Sequence, residues 1–462
     1  MVPVKQVKIA EVPAFHGPLI SGPMYLVVIS GVAALGGLLF GYDTAVISGA
    51  IGLLQSHFLL SPAATGWAAS SALAGCVLGA VVAGLLGDIL GRHKLLLVSA
   101  VCFLLSAFGT ALAPSFALFI SFRIIAGIGI GAASIASPLY ISEIAPTRWR
   151  GRLVALNQLA IISGMLLIYG VNYGIFQHGT SQWNETTGWR WMFASGIAPS
   201  LLLLLLLFFV PETARFLMLH GRRAEAEKVA LRIGGGIPEY ILDLPETTDA
   251  THEHLWRVLW LGIVLAVLQQ VTGINVFLYY APEIFSHVSH SGNVPLLETV
   301  WVGAVNLAFT ILAMTLVDRA GRKTLLIVGS LGMALCLIAM GLASMHSRVG
   351  AWLLAPVLGY IACFALSVGP VTWIVLAEIF PSHYRARAMA VATAALWLAN
   401  FAVSQTFPML DQSRFLIRHF GHGFPFLLYA GFCVLEAWFV WSKLPETKNC
   451  SLEDISAWWS SG

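Results

Sequence analysis

Gly36-Gly-Leu-Leu-Phe-Gly-Tyr-Asp43-Thr-Ala-Val-Ile-Ser-Gly-Ala50 is the stretch that decides how the chain is read. It lies inside an apolar run from Met24 to about Leu54. A helix rising 1.5 Å per residue crosses a bilayer in about 20 residues, and this run is longer. One carboxylate, Asp43, stands in its middle. A charge at bilayer depth costs at least ~2.5–3.5 kcal/mol, so a residue that keeps one there has a task. Its partner must be another buried charge. Arg123, in Phe122-Arg-Ile-Ile-Ala-Gly-Ile-Gly-Ile-Gly131, is the clearest. If the first and fourth runs cross in opposite directions, Asp43 and Arg123 lie about 16 Å and about 12 Å from the same membrane face. The spacing predicts a proton-responsive Asp43–Arg123 pair. A purely structural ion pair is the alternative, but a permanently buried pair adds little net stability.

The rest of the composition agrees with a membrane protein. Of 462 residues, 58% are hydrophobic and 10% are charged. A soluble chain carries about 25% charged residues. Lys5 and Lys8 occur near the start, but no small-residue cleavage site marks a signal peptide. The six cysteines show neither pairing nor metal spacing and read as small core residues. No cofactor and no metal are expected.

Twelve apolar runs follow one another, at about 24–54, 65–86, 94–112, 115–142, 152–176, 189–210, 256–285, 297–317, 324–343, 351–379, 386–410 and 424–443. They divide the chain into a lead (1–23), a six-helix half (24–210), a polar linker (211–255), a second half (256–443) and a tail (444–462). Of the 25 Lys and Arg residues, only Arg348, Arg414 and Arg418 fall in odd-numbered connections. Arg123 is intramembrane and Arg190 opens the sixth run; the others lie in the lead, the even-numbered connections and the tail. Lys and Arg are retained in the cytoplasm, so both termini and the linker are expected there.

The halves repeat one another. Asp88-Ile-Leu-Gly-Arg-His-Lys94 recurs as Asp318-Arg-Ala-Gly-Arg-Lys323. Glu143-Ile-Ala-Pro-Thr-Arg-Trp-Arg-Gly-Arg152 recurs as Glu378-Ile-Phe-Pro-Ser-His-Tyr-Arg-Ala-Arg387, and Pro211-Glu-Thr as Pro445-Glu-Thr. The repeats share one orientation, as in two-bundle transporters with a midplane site. The charged members are expected to bridge neighbouring helices at the cytoplasmic ends: Asp88, Arg92, Glu143, Arg150 and Arg152 in one half, and Asp318, Arg319, Arg322, Glu378, Arg385 and Arg387 in the other. An exposed pair is worth only ~0–1 kcal/mol, so a gate needs a network.

Taken in order, Gly-Tyr-Asp43-Thr-Ala-Val-Ile-Ser-Gly, Arg123-Ile-Ile-Ala-Gly-Ile-Gly, Pro211-Glu-Thr-Ala-Arg215, Gln269-Gln-Val-Thr-Gly-Ile-Asn275 and Gly369-Pro-Val-Thr-Trp373 resemble the sugar porter family of the major facilitator superfamily. The chain looks closer to bacterial xylose–proton symporters than to the human facilitative glucose carriers. The resemblance implies an all-α membrane protein of twelve helices in two six-helix bundles with a cytoplasmic helical linker. It implies no enzyme, but a monosaccharide (hexose or pentose)–proton symporter acting as a monomer in the cell membrane.

Sugar hydroxyls need hydrogen-bonding groups and apolar faces. The resemblance assigns these to Gln158, Gln269, Gln270, Asn275, Tyr279, Asn306 and Trp373. Gln269, Gln270 and Asn275 do not form one tight stripe on a regular helix; a bend or break at Gly273 would bring them together. The resemblance also implies latches that close the cytoplasmic side when the carrier opens outward. Ile89 and His93 depart from the usual pattern, implying a weaker latch in the first half. Met165, Leu396 and Ala365 replace polar residues of relatives and leave the sugar unnamed. Facilitative carriers have an uncharged residue at the Asp43 position, which favours symport; a uniporter with Asp43 in a structural role is the alternative. A membrane sugar sensor, the reading of another class, is disfavoured by the short tail. Glu436 in the last run has no assigned role, and Asn184-Glu-Thr186 matches a glycosylation sequon.

Overall fold

The computed structural model describes residues 22–146, 149–234, 252–286, 294–346, 350–380 and 385–448. Twelve helices in it are long and apolar enough to cross a membrane, and the described residues contain no strand. The first half holds α1 (Pro23–Phe58), α2 (Pro62–Leu90), α3 (Arg92–Leu112), α4 (Phe116–Ile144), α5 (Arg150–His178) and α6 (Ser181–Leu207). The short helices α7 (Ala214–Leu219) and α8 (Arg223–Ile233) follow. The second half holds α9 (His252–Val271), α10 (Ile274–Tyr279), α11 (Ala281–Ser286), α12 (Val294–Ala320), α13 (Arg322–Met345), α14 (Leu354–Leu366), α15 (Val368–Ile379), α16 (Arg385–Asp411), α17 (Arg414–Phe420) and α18 (Phe424–Lys443).

Local chemistry sets the helix boundaries. Ser61 and Ser115 cap α2 and α4 by accepting from the backbone N–H of Ala64 and Leu118. Gly91 and Gly321 turn the chain with φ near +90° between α2 and α3 and between α12 and α13. The linker helix α8 is solvated, with exposed Arg222–Glu225 and Arg223–Glu227 pairs. It stops at Gly234, whose φ is +88°, and its Arg232 carbonyl accepts from the Gly22 N–H at the start of α1.

Two spans are broken, the seventh at the glycine where a bend or break was expected. The seventh stops at Val271 and restarts at Ile274, with Gly273 at φ 92°. The tenth, expected unbroken over 351–379, divides at Ser367 between α14 and α15. Broken helices are tolerated at membrane depth only where protein or a cavity surrounds the loose backbone groups. Here Gln269 Nε2 donates to the carbonyls of Val368 and Gly369, at 3.0 and 3.1 Å, so one break stitches the other. Tyr360 on α14 donates to the Thr272 carbonyl at 3.0 Å.

The halves pack through α2 against α16 and α5 against α12. Ser70 donates to Gln405 at 2.8 Å, Gln405 donates to the Ala63 carbonyl at 3.0 Å, and Tyr169 donates to the Leu278 carbonyl at 2.9 Å. The Ser70–Gln405 and Ala63–Gln405 bonds lie toward the end of the bundle away from the repeated charges. The other end, where α2 meets α3 and α12 meets α13, is the charged end.

The fold buries the sequon asparagine. Asn184 is 1% exposed in a π-helical turn and donates to the Phe176 carbonyl at 3.0 Å. A buried, bonded amide does not present itself to a glycosylating enzyme. The expected roles of the lead before Gly22, of 235–251 and of 449–462 lie outside the described residues, as do the side chains of Arg150, Asp318 and Arg385.

Candidate functional site

The two intramembrane charges meet. Arg123 Nη1 stands 3.4 Å from Asp43 Oδ1 and donates to the Asp43 backbone carbonyl at 3.1 Å. The helices reach past each other: α1 continues to Phe58, so Asp43 is about 22 Å and Arg123 about 10 Å from the helix ends at that side. Level ends were therefore the wrong ruler, yet the pair forms. Arg123 is 1% exposed and lies over the Phe193 ring, 5.6 Å from its centroid. Asp43 Oδ2 has no hydrogen-bond partner among the described residues. The carboxyl thus has one oxygen on the guanidinium and one left to bind a proton. Removing either partner of a buried pair costs about 3–5 kcal/mol, because the other charge stays behind.

The break at Gly273 gathers the amides of span seven. Asn275 Nδ2 donates to Gln270 Oε1 at 2.6 Å, and Gln270 Nε2 approaches Gln269 Oε1 at 3.4 Å. All three residues are buried, although on a straight helix they would not share a face. Gln269 is occupied by the α15 carbonyls and holds the two breaks together. Gln270 and Asn275 bond to one another, a contact that sugar hydroxyls can replace atom for atom. Tyr279 is buried one turn on, with Asn400 of α16 beside its hydroxyl.

At the charged end the repeats build the same assembly twice. In the first half Arg92 pairs with Asp88 at 2.9 Å and with Glu143 at 3.1 Å. Thr213 Oγ1 donates to the other Glu143 oxygen at 2.6 Å, and Glu212 accepts the backbone N–H groups of His93 and Thr213. In the second half Arg322 pairs with Glu378 at 3.0 Å, and Thr447 donates to Glu378 at 2.6 Å. Glu446 accepts from the backbone N–H of Arg322 at 2.9 Å and of Lys323 at 3.1 Å. A carboxylate on free N–H groups at a helix start is favourable. Gly321 must be glycine, since a Cβ there would stand 2.7 Å from Glu446 Oε2.

The pattern of the family described as Sugar (and other) transporter matches residues 29–459. The chain belongs to the sugar transporter family. It is 43% identical to the D-xylose-proton symporter of Escherichia coli (strain K12), over 94% of this chain and 96% of that protein. It is 40% identical to the arabinose-proton symporter of Bacillus subtilis (strain 168), over 94% of this chain and 95% of that protein. The partially occluded inward open structure of the xylose transporter XylE from E. coli matches with a TM-score of 0.83 at 42% identity, covering 92% of this chain and 99% of that one. The fold is therefore the major facilitator fold, and this sugar transporter is not an enzyme.

In this sugar transporter the remaining expected residues stand on three other helices. Gln158 is half-buried on α5, Asn306 is buried on α12 and Trp373 is half-buried on α15. Met165, Leu396 and Ala365 are buried, so each removes a polar partner without opening a solvent path. At the charged end the expected gating residues divide into paired and unpaired ones. Arg152, Arg319 and Arg387 are exposed and sit in no ion pair among the described residues. Each ion pair seen there stays within its own half, because Glu143 and Glu378 are taken up by Arg92 and Arg322. His93 Nε2 lies 2.9 Å from the Leu207 carbonyl.

Sequence reading assigned no role to Glu212, Thr213, Glu446 and Thr447, although the repeated Pro-Glu-Thr was the signal. It also passed over Asn157, bonded to Ser137 at 2.7 Å, and Asn172, which donates to the Val46 carbonyl at 3.1 Å. Single asparagines in apolar runs carry no pattern that separates scaffold from site. Glu436 is fully buried in the second half and accepts from Ser330 at 3.0 Å.

Proposed function

We propose that this sugar transporter is a monosaccharide–proton symporter, carrying a hexose or pentose by alternating access, with Asp43 as its proton site. The observation that carries the reading is the buried Asp43–Arg123 contact at 3.4 Å with Asp43 Oδ2 left over. A proton on Asp43 cancels the attraction that holds Arg123, so the guanidinium is released and α1 and α4 can shift. Loss of the proton restores the pair. Arg123 thus reports the proton to the helix that carries it, while Gln270, Asn275 and Tyr279 hold the sugar, with Gln158, Asn306 and Trp373 around it. Gln269 fixes both breaks so that the amides face the sugar together.

The charged end is the cytoplasmic one in this reading, because Lys and Arg concentrate there. The Ser70 and Ala63 contacts with Gln405 then close the outer side. The halves 24–210 and 256–443 turn about the site, tied by the linker 211–255. Each ion-paired assembly keeps its own half rigid at the cytoplasmic end. The pair and the amides belong to one chain, so the transporter works as a monomer in the cell membrane. Labelled xylose and glucose uptake into liposomes tests the reading: an inward proton gradient should drive one of them above equilibrium. Equilibration at the same level with and without the gradient would make the chain a facilitator.

A further inference from the structure

The short helix α17 does not belong to the transport site. It lies between the end of α16 and the start of α18, at the end away from the charged end. The turn that follows it is seated on the last turn of α13: a Cβ at Gly421 would stand 2.9 Å from the Ser344 carbonyl oxygen. The spans α13 and α18, which pack together, turn large apolar side chains outward. These include Leu331, Leu335 and Leu342 on one, and Leu435, Trp438 and Trp441 on the other. That is a face made for lipid, and α17 crosses its rim.

The sequence of α17 is Arg-Phe-Leu-Ile-Arg-His-Phe. Leu416 and Phe420, one turn apart, are partly buried toward the protein. Arg414 and Arg418, also one turn apart, point away and are exposed. Phe415 is 68% exposed on one flank, its ring 4.6 Å from that of His419, and Ile417 is exposed on the other. Neither arginine makes an ion pair among the described residues; the nearby Asp411 is taken by His422 at 3.0 Å. Cations are disfavoured in connections that cross the membrane during insertion. Two of the three Lys or Arg residues in such connections nevertheless stand on this one helix. Exposed aromatic and apolar flanks with a basic outer face are the marks of a helix lying in the membrane interface.

We propose that α17 lies in the interface, with Phe415 at the headgroup–acyl boundary and Arg414 and Arg418 gripping the phosphodiester headgroup of an anionic phospholipid. Two guanidiniums one turn apart offer paired donors to phosphate oxygens. At ~1 kcal/mol per basic residue near an anionic surface, losing both weakens lipid binding about thirtyfold.

The test titrates phosphatidylglycerol onto the full-length protein in detergent and counts bound lipid by native mass spectrometry. Parallel arms use phosphatidylcholine and inorganic phosphate. Wild type should hold phosphatidylglycerol in a salt-sensitive way, with neither competitor displacing it. Arg414→Gln with Arg418→Gln should lose about thirtyfold. Phe415→Ser should weaken retention without changing its salt dependence. Equal phosphatidylglycerol binding by wild type and the double variant would overturn the proposal. Full displacement by inorganic phosphate would do so too, by making this an anion site and not a lipid one. The substituted side chains are exposed, and an unchanged melting temperature will show that each variant is folded.

Discussion

Replacing Gly273 with alanine strikes the backbone position that gathers the Gln269, Gln270 and Asn275 amides. Its φ is 92°, where an L-residue with a Cβ pays about 1–2 kcal/mol. That Cβ would also stand 2.6 and 2.7 Å from ring atoms of Tyr429. Overpacking of this kind costs about 1–3 kcal/mol. The sum, about 2–5 kcal/mol, falls on a turn whose Thr272 carbonyl holds Tyr360 and whose flanks hold the 2.6 Å Gln270–Asn275 bond. If even 2 kcal/mol appears in binding, sugar affinity drops about thirtyfold. The assay is a sugar titration by calorimetry, with melting temperature measured in the same detergent. Tyr429→Leu in the Gly273→Ala background should recover the steric part and leave the backbone part, and the double-mutant cycle separates the two. Gly273→Asn should be milder than Gly273→Ala, since asparagine visits the left-handed region more readily. Unchanged affinity and melting in Gly273→Ala would refute the claim that this break builds the site.

Asn275→Ala should cost sugar affinity about fivefold or more, because it leaves a buried sugar hydroxyl without its partner at about 1–3 kcal/mol; full affinity in the variant would remove span seven from the site. Glu143→Gln and Glu378→Gln should each lower the melting temperature and add when combined, since they sit in different halves; a strongly non-additive double variant would argue that the two charged assemblies touch. Glu283, beyond the end of the seventh span, is pushed from 4.5 to about 7 by burial and then by the charge of Asp411. A carboxyl raised in this way contributes stability that is full below its ordinary range and lost as the pH climbs through about 7. Glu283→Gln should therefore flatten the dependence of melting temperature on pH between about 4.5 and about 7, and coincident profiles for variant and wild type would contradict this.

The twelve spans were legible because membrane helices must carry long apolar runs, and the repeats were legible because identical charges recurred about half a chain apart. The Asp43–Arg123 pair was legible for a similar reason: few charges are available at depth, so few pairings exist. Less visible were features made by backbone geometry. The break at Gly273 was suggested by a glycine between amides, but Ser367 resembles any serine in an apolar run. Gln269 reads like a sugar ligand by type, and only the position of the Val368 and Gly369 carbonyls shows that its amide is already engaged. The pairing within the expected gating set was only partly legible, for a physical reason. Charge sign and repetition cannot tell which of several nearby arginines reaches a glutamate, and Arg92 and Arg322 reach it where Arg152 and Arg387 do not.

The central claim is that the coupling proton binds Asp43. Asp43→Asn in liposomes tests it most directly, comparing sugar counterflow without a gradient against accumulation driven by a proton gradient. The account predicts that counterflow survives, because asparagine stands in for the protonated carboxyl and the sugar amides are untouched, while accumulation disappears. Accumulation equal to wild type in Asp43→Asn would place the proton elsewhere and leave Asp43 a structural partner of Arg123.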